Sequence, residues 1–517
     1  MRTDRSIYIV AGLYALLLGA CAQVGTISGG DRDEHAPKPN YDKAEPQPNT
    51  TFFNGKEVTI PFDEFFSLNN PAQNVFIIPP HATLDTRFKG KDLIISWEEE
   101  LEPNTTYSIY IDKAIKDITE GNDSTMQFVF STGAVIDSLS YRAFLSDAWT
   151  GKPMNEATLA FYDGDKLINF GRSDASGKVE LNYMKAGSYN AVAFIDDNLN
   201  LQWDSTEVVG FKSDMKIDLS SALADSVPYQ LFKPTPKPKL RSVVFQSPGS
   251  IRIGANVSLE NSVIFFNNVQ LPQEQIKMLG RDSLVCFVNT KGLSGLQKVR
   301  VENESLTSEK NIRIPTSQQA ITIQSLNRGR KVAPSEPLLF ELSDLIKEVD
   351  TNHFHLYNSQ DSTEINDFQV SFDKNQLAVN LDKSKYESVL FVLDSAVINC
   401  LNGTLNSFET TLTLADESEY GSILVDVSAY NEPILLDLLG GDNLIERRII
   451  NNVSENLFDE LEPGTYSFRV IHDTNENEIW DVGDVEELKQ PEKIDRFSKP
   501  NKVRPNWQIN VSLIPNE

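Results

Sequence analysis

Apolar and polar residues alternate over short runs in this chain, as in "KEVTIPF" (56–62), "KDLIISW" (91–97) and "TYSIYID" (106–112). Turn residues break the runs about every eight to twelve positions. A period of two places one face of a strand on a core and the other in water. The spacing of three and four that an amphipathic helix needs is scarce. The pattern predicts an all-β chain of sandwiches. At 517 residues it is too long for one core, so several sandwiches must follow one another.

The order of elements repeats. "KEVTIPFDEFFSL" (56–68) and 91–133 run strand, acidic turn, strand pair, Asp-x-Ala, turn, closing strand. "EPLLFELSDLI" (336–346) and 375–415 run in the same order, with Asp112-Lys113-Ala114 matching Asp394-Ser395-Ala396. A second pair follows. Residues 177–207 align without gaps on 454–484, which puts Gly187 and Tyr189 on Gly464 and Tyr466, and Trp203-Asp204 on Trp480-Asp481. The chain therefore reads A-B-M-A′-B′. M opens on the proline-rich spacer "FKPTPKPKL" (232–240) and is strand-like beyond it.

The N-terminus has a different composition. Arg2 and Arg5 precede the apolar run Ile7–Ala20, which has the layout of a secretory signal. Leu18-Gly19-Ala20-Cys21 resembles the lipobox of bacterial lipoproteins, which implies acyl chains on Cys21 and a membrane anchor. The alternative is an ordinary signal with an incidental cysteine. Residues 22–50 are rich in Gly, Pro, Asp and Asn, and their first part reads as a tether. No acidic run stands directly behind Cys21, where Ala22-Gln23-Val24 follow, so the periplasmic face of the outer membrane is expected rather than the cell surface. Cys286 and Cys400 lie in apolar strand-like runs. Two buried thiols are expected, with a disulfide as the alternative.

Module A is similar to the SbsA-type bacterial Ig-like domain in its Pro-rich entry, Phe62-Asp63-Glu64, "LEPNTTYSIYI" and the closing "FVFSTG". Module B is similar to carboxypeptidase regulatory-like (transthyretin-like) domains through Gly151-Lys152-Pro153, Ser173-Asp174-Ala175-Ser176-Gly177 and Gly187-Ser188-Tyr189. In B′, Asn451–Ser454 replace the Asp-x-x-Gly turn. The whole chain resembles the Ig-like lipoproteins of Bacteroidota, which implies a string of sandwiches in the cell envelope and no catalytic activity. The expected division is a signal peptide (1–20), tether (21–36), Ig-like domain (37–134), transthyretin-like domain (135–227), linker and β domain (228–317), degenerate Ig-like domain (318–416) and second transthyretin-like domain (417–517).

One motif suggests a ligand. "FIDDNLNLQWDSTE" (194–207) and "VIHDTNENEIWDVGD" (470–484) space oxygen side chains two apart after a strand. Calcium takes six to eight hard oxygens, and a twelve-residue loop supplies them from positions 1, 3, 5, 7, 9 and 12. In the first copy these are Asp196, Asn198, Asn200, the Gln202 carbonyl, Asp204 and Glu207. In the second they are Asp473, Asn475, Asn477, the Ile479 carbonyl, Asp481 and Asp484. Position 6, where the turn wants glycine, holds Leu201 and Glu478. The competing reading is an Asx-turn connection whose side chains bond their own backbone, with Trp203 and Trp480 plugging the sandwich ends.

Other motifs carry less. His353 and His355 share a strand face without a third ligand nearby, and partly exposed strand histidines are the plain reading. "GRSDASGKV" (171–179) has the wrong spacing for a phosphate loop, and Val179 stands where Mg²⁺ needs a hydroxyl. With five histidines in the chain, no Ser/His/Asp or Cys/His set assembles by sequence argument. The formal charge of −27 argues against nucleic acid as a partner. These features predict a non-enzymatic outer-membrane lipoprotein that meets the membrane through its lipid and an envelope protein or glycan through its modules. The alternatives are a calcium-dependent adhesin for glycan or protein, or an accessory part of a glycan hydrolase with carboxyls roughly 5 to 9.5 Å apart.

Overall fold

A computed structural model describes residues 34–80, 83–221, 226–317, 319–327, 329–451 and 455–515. The signal segment, Cys21 and most of the tether lie outside the described residues. The protein is a tandem array of β-sandwiches. Among the described residues, its longest α-helix is the single turn Pro71–Asn74. No helix among them is long and apolar enough to cross a membrane.

Five separate hydrophobic cores follow the alternation seen in the sequence. In A, Val58, Ile60, Leu93 and Ile95 from one sheet meet Tyr107, Ile109, Ile111, Phe128 and Phe130 from the other. In M two four-stranded sheets enclose Ile251, Ile253, Val299 and Val301. Residues two apart share a face, so each strand delivers its odd or even set to the core. Cys286 belongs to the core of M and Cys400 to that of A′, both as free thiols. Burial pushes both thiols up to about 12, so neither is a ready nucleophile.

The A and A′ sheets correspond with two differences: A′ has an added edge strand, Ile323–Ser325, where A has an isolated bridge between Glu45 and Thr59, and one long strand of A is divided. The long strand Thr106–Asp117 of A is replaced in A′ by two strands, Ser388–Leu393 and Ile398–Cys400. The break falls at the matching Asp-x-Ala. In A the same motif is a bulge between Asp112 and Lys116 with Lys113 at φ 52°, and in A′ Ala396 stands at φ 64°. A left-handed residue inside a ladder disrupts pairing locally.

B and B′ share one topology. In B the sheet order is Lys166–Arg172, Thr158–Asp163, Gly187–Phe194, Val209–Leu219. Behind it lie Lys178–Met184, Leu139–Asp147 and Val227–Leu231, the last pair parallel. In B′ the orders are Asn443–Ile450, Ile434–Gly440, Gly464–His472, Ile494–Val503, and then Glu455–Leu461, Gly421–Asp426, Gln508–Ser512, again with the last pair parallel. Although Asn451–Ser454 lack the Asp-x-x-Gly pattern, the strands on either side form and pair.

The sandwiches touch through their outer faces. Between A and B, Phe76 meets Phe170 with ring centroids 5.0 Å apart, and Arg172 lies over Phe76 and 3.7 Å from Asp112. Between M and A′, the Asn402 side chain bonds Thr290 and the Val288 carbonyl while its backbone N–H donates to buried Asp344. Between B and B′, Trp149 meets Trp480 at 4.9 Å, and the Arg469 guanidinium lies 3.9 Å from the Trp149 ring centre. Arg496 donates to the carbonyls of Ala148 and Trp149 at 2.5 and 2.7 Å. The outer face of the B′ sheet is thus buried against B, including Asp437, which binds both Arg447 and Arg469. The last module folds back onto the second, so the chain from B to B′ closes on itself.

Candidate functional site

Both Asp/Asn loops leave the last residues of a central strand, Gly187–Phe194 in B and Gly464–His472 in B′, and their first nine positions are built alike. Asp196 accepts the backbone N–H groups of Asn200 and Leu201, both at 3.0 Å. Asp473 accepts those of Asn477 and Glu478 at 3.0 and 2.8 Å. Asn198 and Asn200 each form an Asx turn onto the N–H two residues ahead, and Asn475 and Asn477 repeat this. The amides of Asn198 and Asn200 converge on Asp204, and those of Asn475 and Asn477 on Asp481. Side chains spaced two apart therefore do turn to one side of a curling loop.

The curl needs left-handed backbone. Leu199 and Leu201 both stand at φ 59°, and their equivalents Glu476 and Glu478 at 58° and 64°. A residue with a Cβ is strained there, and each loop holds two such residues. The turn that wants glycine at position 6 is present in both copies without it.

The copies differ at the closing residue. In B, Glu207 accepts the N–H groups of Asp197 and Asp204, both at 3.0 Å, and its own carbonyl accepts from Trp203 Nε1. In B′ these roles fall to Glu492. It accepts from Thr474 and Asp481 at 3.0 Å, and Trp480 Nε1 donates to its carbonyl at 3.0 Å. Asp484, the sequence candidate for position 12, instead exchanges backbone hydrogen bonds with Lys489 in a small hairpin. An insertion spanning 484–491 separates the aligned position from the residue that closes the loop. The gapless alignment missed Glu492. Its signal was a second Glu followed by Lys-Ile-Asp, at the start of the strand Ile494–Val503, where Glu207 stands before Val209–Leu219.

The electrostatics are uneven. Asp196, Glu207 and Asp473 are 9%, 3% and 2% exposed. None of the ion pairs formed among the described residues reaches them. Burial and then the Asp196 charge push Tyr162 up to about 12, and its hydroxyl donates to the Leu201 carbonyl. Burial, followed by the charge of Asp481, raises the Glu492 carboxyl above its usual range. Among the described residues no three His, Cys, Asp or Glu side chains form a metal-ligating group. A hard cation in either loop would draw on amide and carbonyl oxygens as well as the carboxylates.

Each loop also carries a tryptophan into a seam. Trp203 packs with Leu201 against Phe76, Tyr110 and Phe194 where A meets B. Trp480, with Val482 just before the insertion and Val485 within it, packs against Phe211 of B and Phe232 at the start of the spacer, and Trp203 borders the same cluster. Gly483 lies so close to Phe232 that a Cβ would overlap its ring. The Asn477 carbonyl accepts from Arg281 of M at 2.6 Å. Both tryptophans thus fill spaces between modules, and neither joins the core of its own sandwich.

Elsewhere, His353 and His355 both face Asp394, at 3.4 and 3.8 Å, and His355 also reaches Glu364. A cleft of about 280 Å³ at the A–B seam contains Glu102, Asp137 and Asp163, with Glu102 held by Lys166 at 2.6 Å.

Residues 35–132 match the family model described as a bacterial Ig-like domain. No curated protein matches the chain. Among solved structures, the chain is similar to the TIE protein of Bacillus anthracis (8% identity, 100% of this chain and 80% of that one, TM-score 0.15). It is also similar to domains 1–6 of the surface layer protein SbsC (11%, 90% and 67%, 0.14) and to a structure concerning Dscam isoform specificity (11%, 70% and 97%, 0.18). The protein carries an Ig-like domain in a tandem array of β-sandwiches.

Proposed function

We propose that this is a non-enzymatic lipoprotein of the Bacteroidota outer membrane, anchored through Cys21 on the periplasmic face, with a structural or binding role. The observation that carries the reading is the set of built seams. Arg496 on two carbonyls of B, Arg469 stacked on Trp149, and Asn402 bonded across M and A′ hold the sandwiches in one fixed array. Such an array is suited to present a surface at a set distance from a membrane to an envelope protein or glycan. Labelling cells with radioactive palmitate tests the anchor. Label on the wild type and none on Cys21→Ser supports it, and an unlabelled wild type ends it. Cross-linking in the intact envelope followed by capture tests the binding role.

A second reading has its own support. The buried carboxylates Asp196, Glu207 and Asp473 lack cationic side-chain partners among the described residues, as expected of loops that hold Ca²⁺. We infer a calcium-stiffened array, with adhesin-like recognition of glycan or protein as the variant of the first reading. Calorimetry of the full chain with Ca²⁺, against Asp196→Ala and Asp204→Ala, decides it. No heat and no melting shift at millimolar Ca²⁺ would remove calcium from the account.

A further inference from the structure

The strand Asn443–Ile450 forms one edge of the four-stranded B′ sheet and, among the described residues, pairs only with Ile434–Gly440. An edge strand presents unpaired N–H and C=O groups to any strand that fits, and proteins usually blunt it with charges or bulges. This edge has both, a bulge at Ile445 and the run Glu446-Arg447-Arg448. It also leaves Leu444, Ile445 and Ile449 about half exposed, at 49%, 53% and 48%.

The order of residues makes the edge complementary to itself. From 443 to 451 it reads Asn-Leu-Ile-Glu-Arg-Arg-Ile-Ile-Asn. A second copy laid antiparallel about a two-fold axis at Arg447 sets Asn443 against Asn451, Leu444 against Ile450, Ile445 against Ile449 and Glu446 against Arg448. By symmetry the charge pair occurs twice, and Glu446 and Arg448, already bridged to each other at 2.7 Å within each chain, then form an alternating row of four charges across the axis. Arg447 meets its own copy on the axis, but each Arg447 is already bound to Asp437 at 2.6 Å. A register one residue away either puts Ile445 against Arg448, or puts Arg447 against Arg448 and Glu446 against Ile449. Charges that guard the edge against other strands become attractive in one register with a second copy.

We propose that the protein forms an isologous dimer through this edge, with the two strands Asn443–Ile450 paired antiparallel about Arg447 to join two B′ sheets. The decisive experiment uses the purified full chain bearing Ile445→Cys and Ile449→Cys together. In the two-fold register the thiol at 445 faces the thiol at 449 of the second copy, so mild oxidation gives a covalent dimer whose only new linkage, by mass spectrometry, is 445 to 449. Within one chain those positions are about 13 Å apart at 3.3 Å per residue, so no internal bridge competes. Either single variant leaves its thiols equally far apart across the dimer and does not cross-link. Sedimentation of the wild type gives a monomer–dimer equilibrium. Glu446→Arg or Arg448→Glu alone weakens it by about tenfold or more, and the two together restore it. Melting temperatures close to wild type exclude unfolding as the cause, and the cysteine pair decides the matter if a charge variant fails to fold. A wild type that stays monomeric, a linkage in another register, or capture of a foreign strand with no dimer overturns the proposal.

Discussion

The loops of B and B′ begin as the same object and end as two. From Asp196 to Asp204, and from Asp473 to Asp481, hydrogen bonds, Asx turns and left-handed positions coincide. B then closes at once on Glu207. B′ first makes the detour through 484–491 and closes on Glu492. The detour reaches module B, where its Val485, beside Val482 just ahead of it, joins Phe211 and Phe232. A loop whose internal bonds are satisfied locally can accept an insertion beyond them, because the insertion disturbs no bond it must keep. The copy that gained the insertion fastens the chain back onto its earlier half. The copy without it rests against the neighbour it already follows in sequence.

The strongest way to break this comparison is through the tryptophans. Trp480→Ala removes the Trp149 contact and the shared wall of two clusters. It should cost about 3 kcal/mol, the low end for a tryptophan truncation because the ring is only partly buried. It should also open the array, seen as a larger radius of gyration in small-angle scattering. Trp203→Ala should lower the melting temperature with no change in that radius, since A and B stay joined by the chain. Equal scattering from the two variants would mean that the B′ loop does not fasten B.

The calcium reading separates the copies next. If millimolar Ca²⁺ binds with a Kd of 10⁻⁴ to 10⁻³ M, 10 mM gives about 1.4 to 2.7 kcal/mol of stabilisation per site. Glu492→Gln and Glu207→Gln should each remove one site's share of the melting shift. Asp484→Asn should leave it whole, because Asp484 lies in the hairpin and not in the loop. A shift lost with Asp484→Asn and kept with Glu492→Gln would restore the gapless alignment.

How much of this was readable beforehand depends on range. The strands were legible because alternation is a local consequence of which face is buried. The first nine loop positions were legible because ligand or Asx spacing is written in consecutive residues. Glu492 was not, because a gapless alignment cannot see an insertion. The seams were hidden for a related reason, since periodicity tells that a face is buried and not what covers it. One trace was there in "ILLDLL" (434–439), where the expected alternation fails. Leu435 and Asp437 face outward from their own core and are buried against B. Apolar residues on both faces of a strand in an open antiparallel sheet indicate a covered second face.

Backbone strain gives a finer contrast. Glu478 is exposed at φ 64°, and Leu201 at φ 59° packs into the A–B seam. Glu478→Gly should stabilise the protein by up to about 1 kcal/mol by relieving a left-handed residue whose side chain contributes little packing. Leu201→Gly relieves the same strain but loses its contacts with Trp203 and Phe76, so it should destabilise. Chemical denaturation of the two variants gives the signs. If Glu478→Gly also destabilises, the Glu478 side chain contributes more than its exposure implies.

The smallest effect is a pH dependence of the B′ loop. Burial and Asp481 raise the Glu492 carboxyl, whereas the unfolded carboxyl keeps its ordinary value near 4.3. A group whose folded pKa lies above its unfolded one holds more protons in the folded state. Its contribution is complete below the unfolded value and is lost as pH rises through the folded one. Without divalent cations, the melting temperature should therefore fall slightly over that upward step. Glu492→Gln keeps one acceptor oxygen and has no proton to lose, so its profile should be flatter there. Calcium in the loop would stabilise the charged carboxylate and reverse the slope in the wild type alone. A wild-type profile that matches that of Glu492→Gln with and without Ca²⁺ would show that the closing carboxylate senses neither burial nor an ion. The two loops would then be equivalent in chemistry and different only in reach.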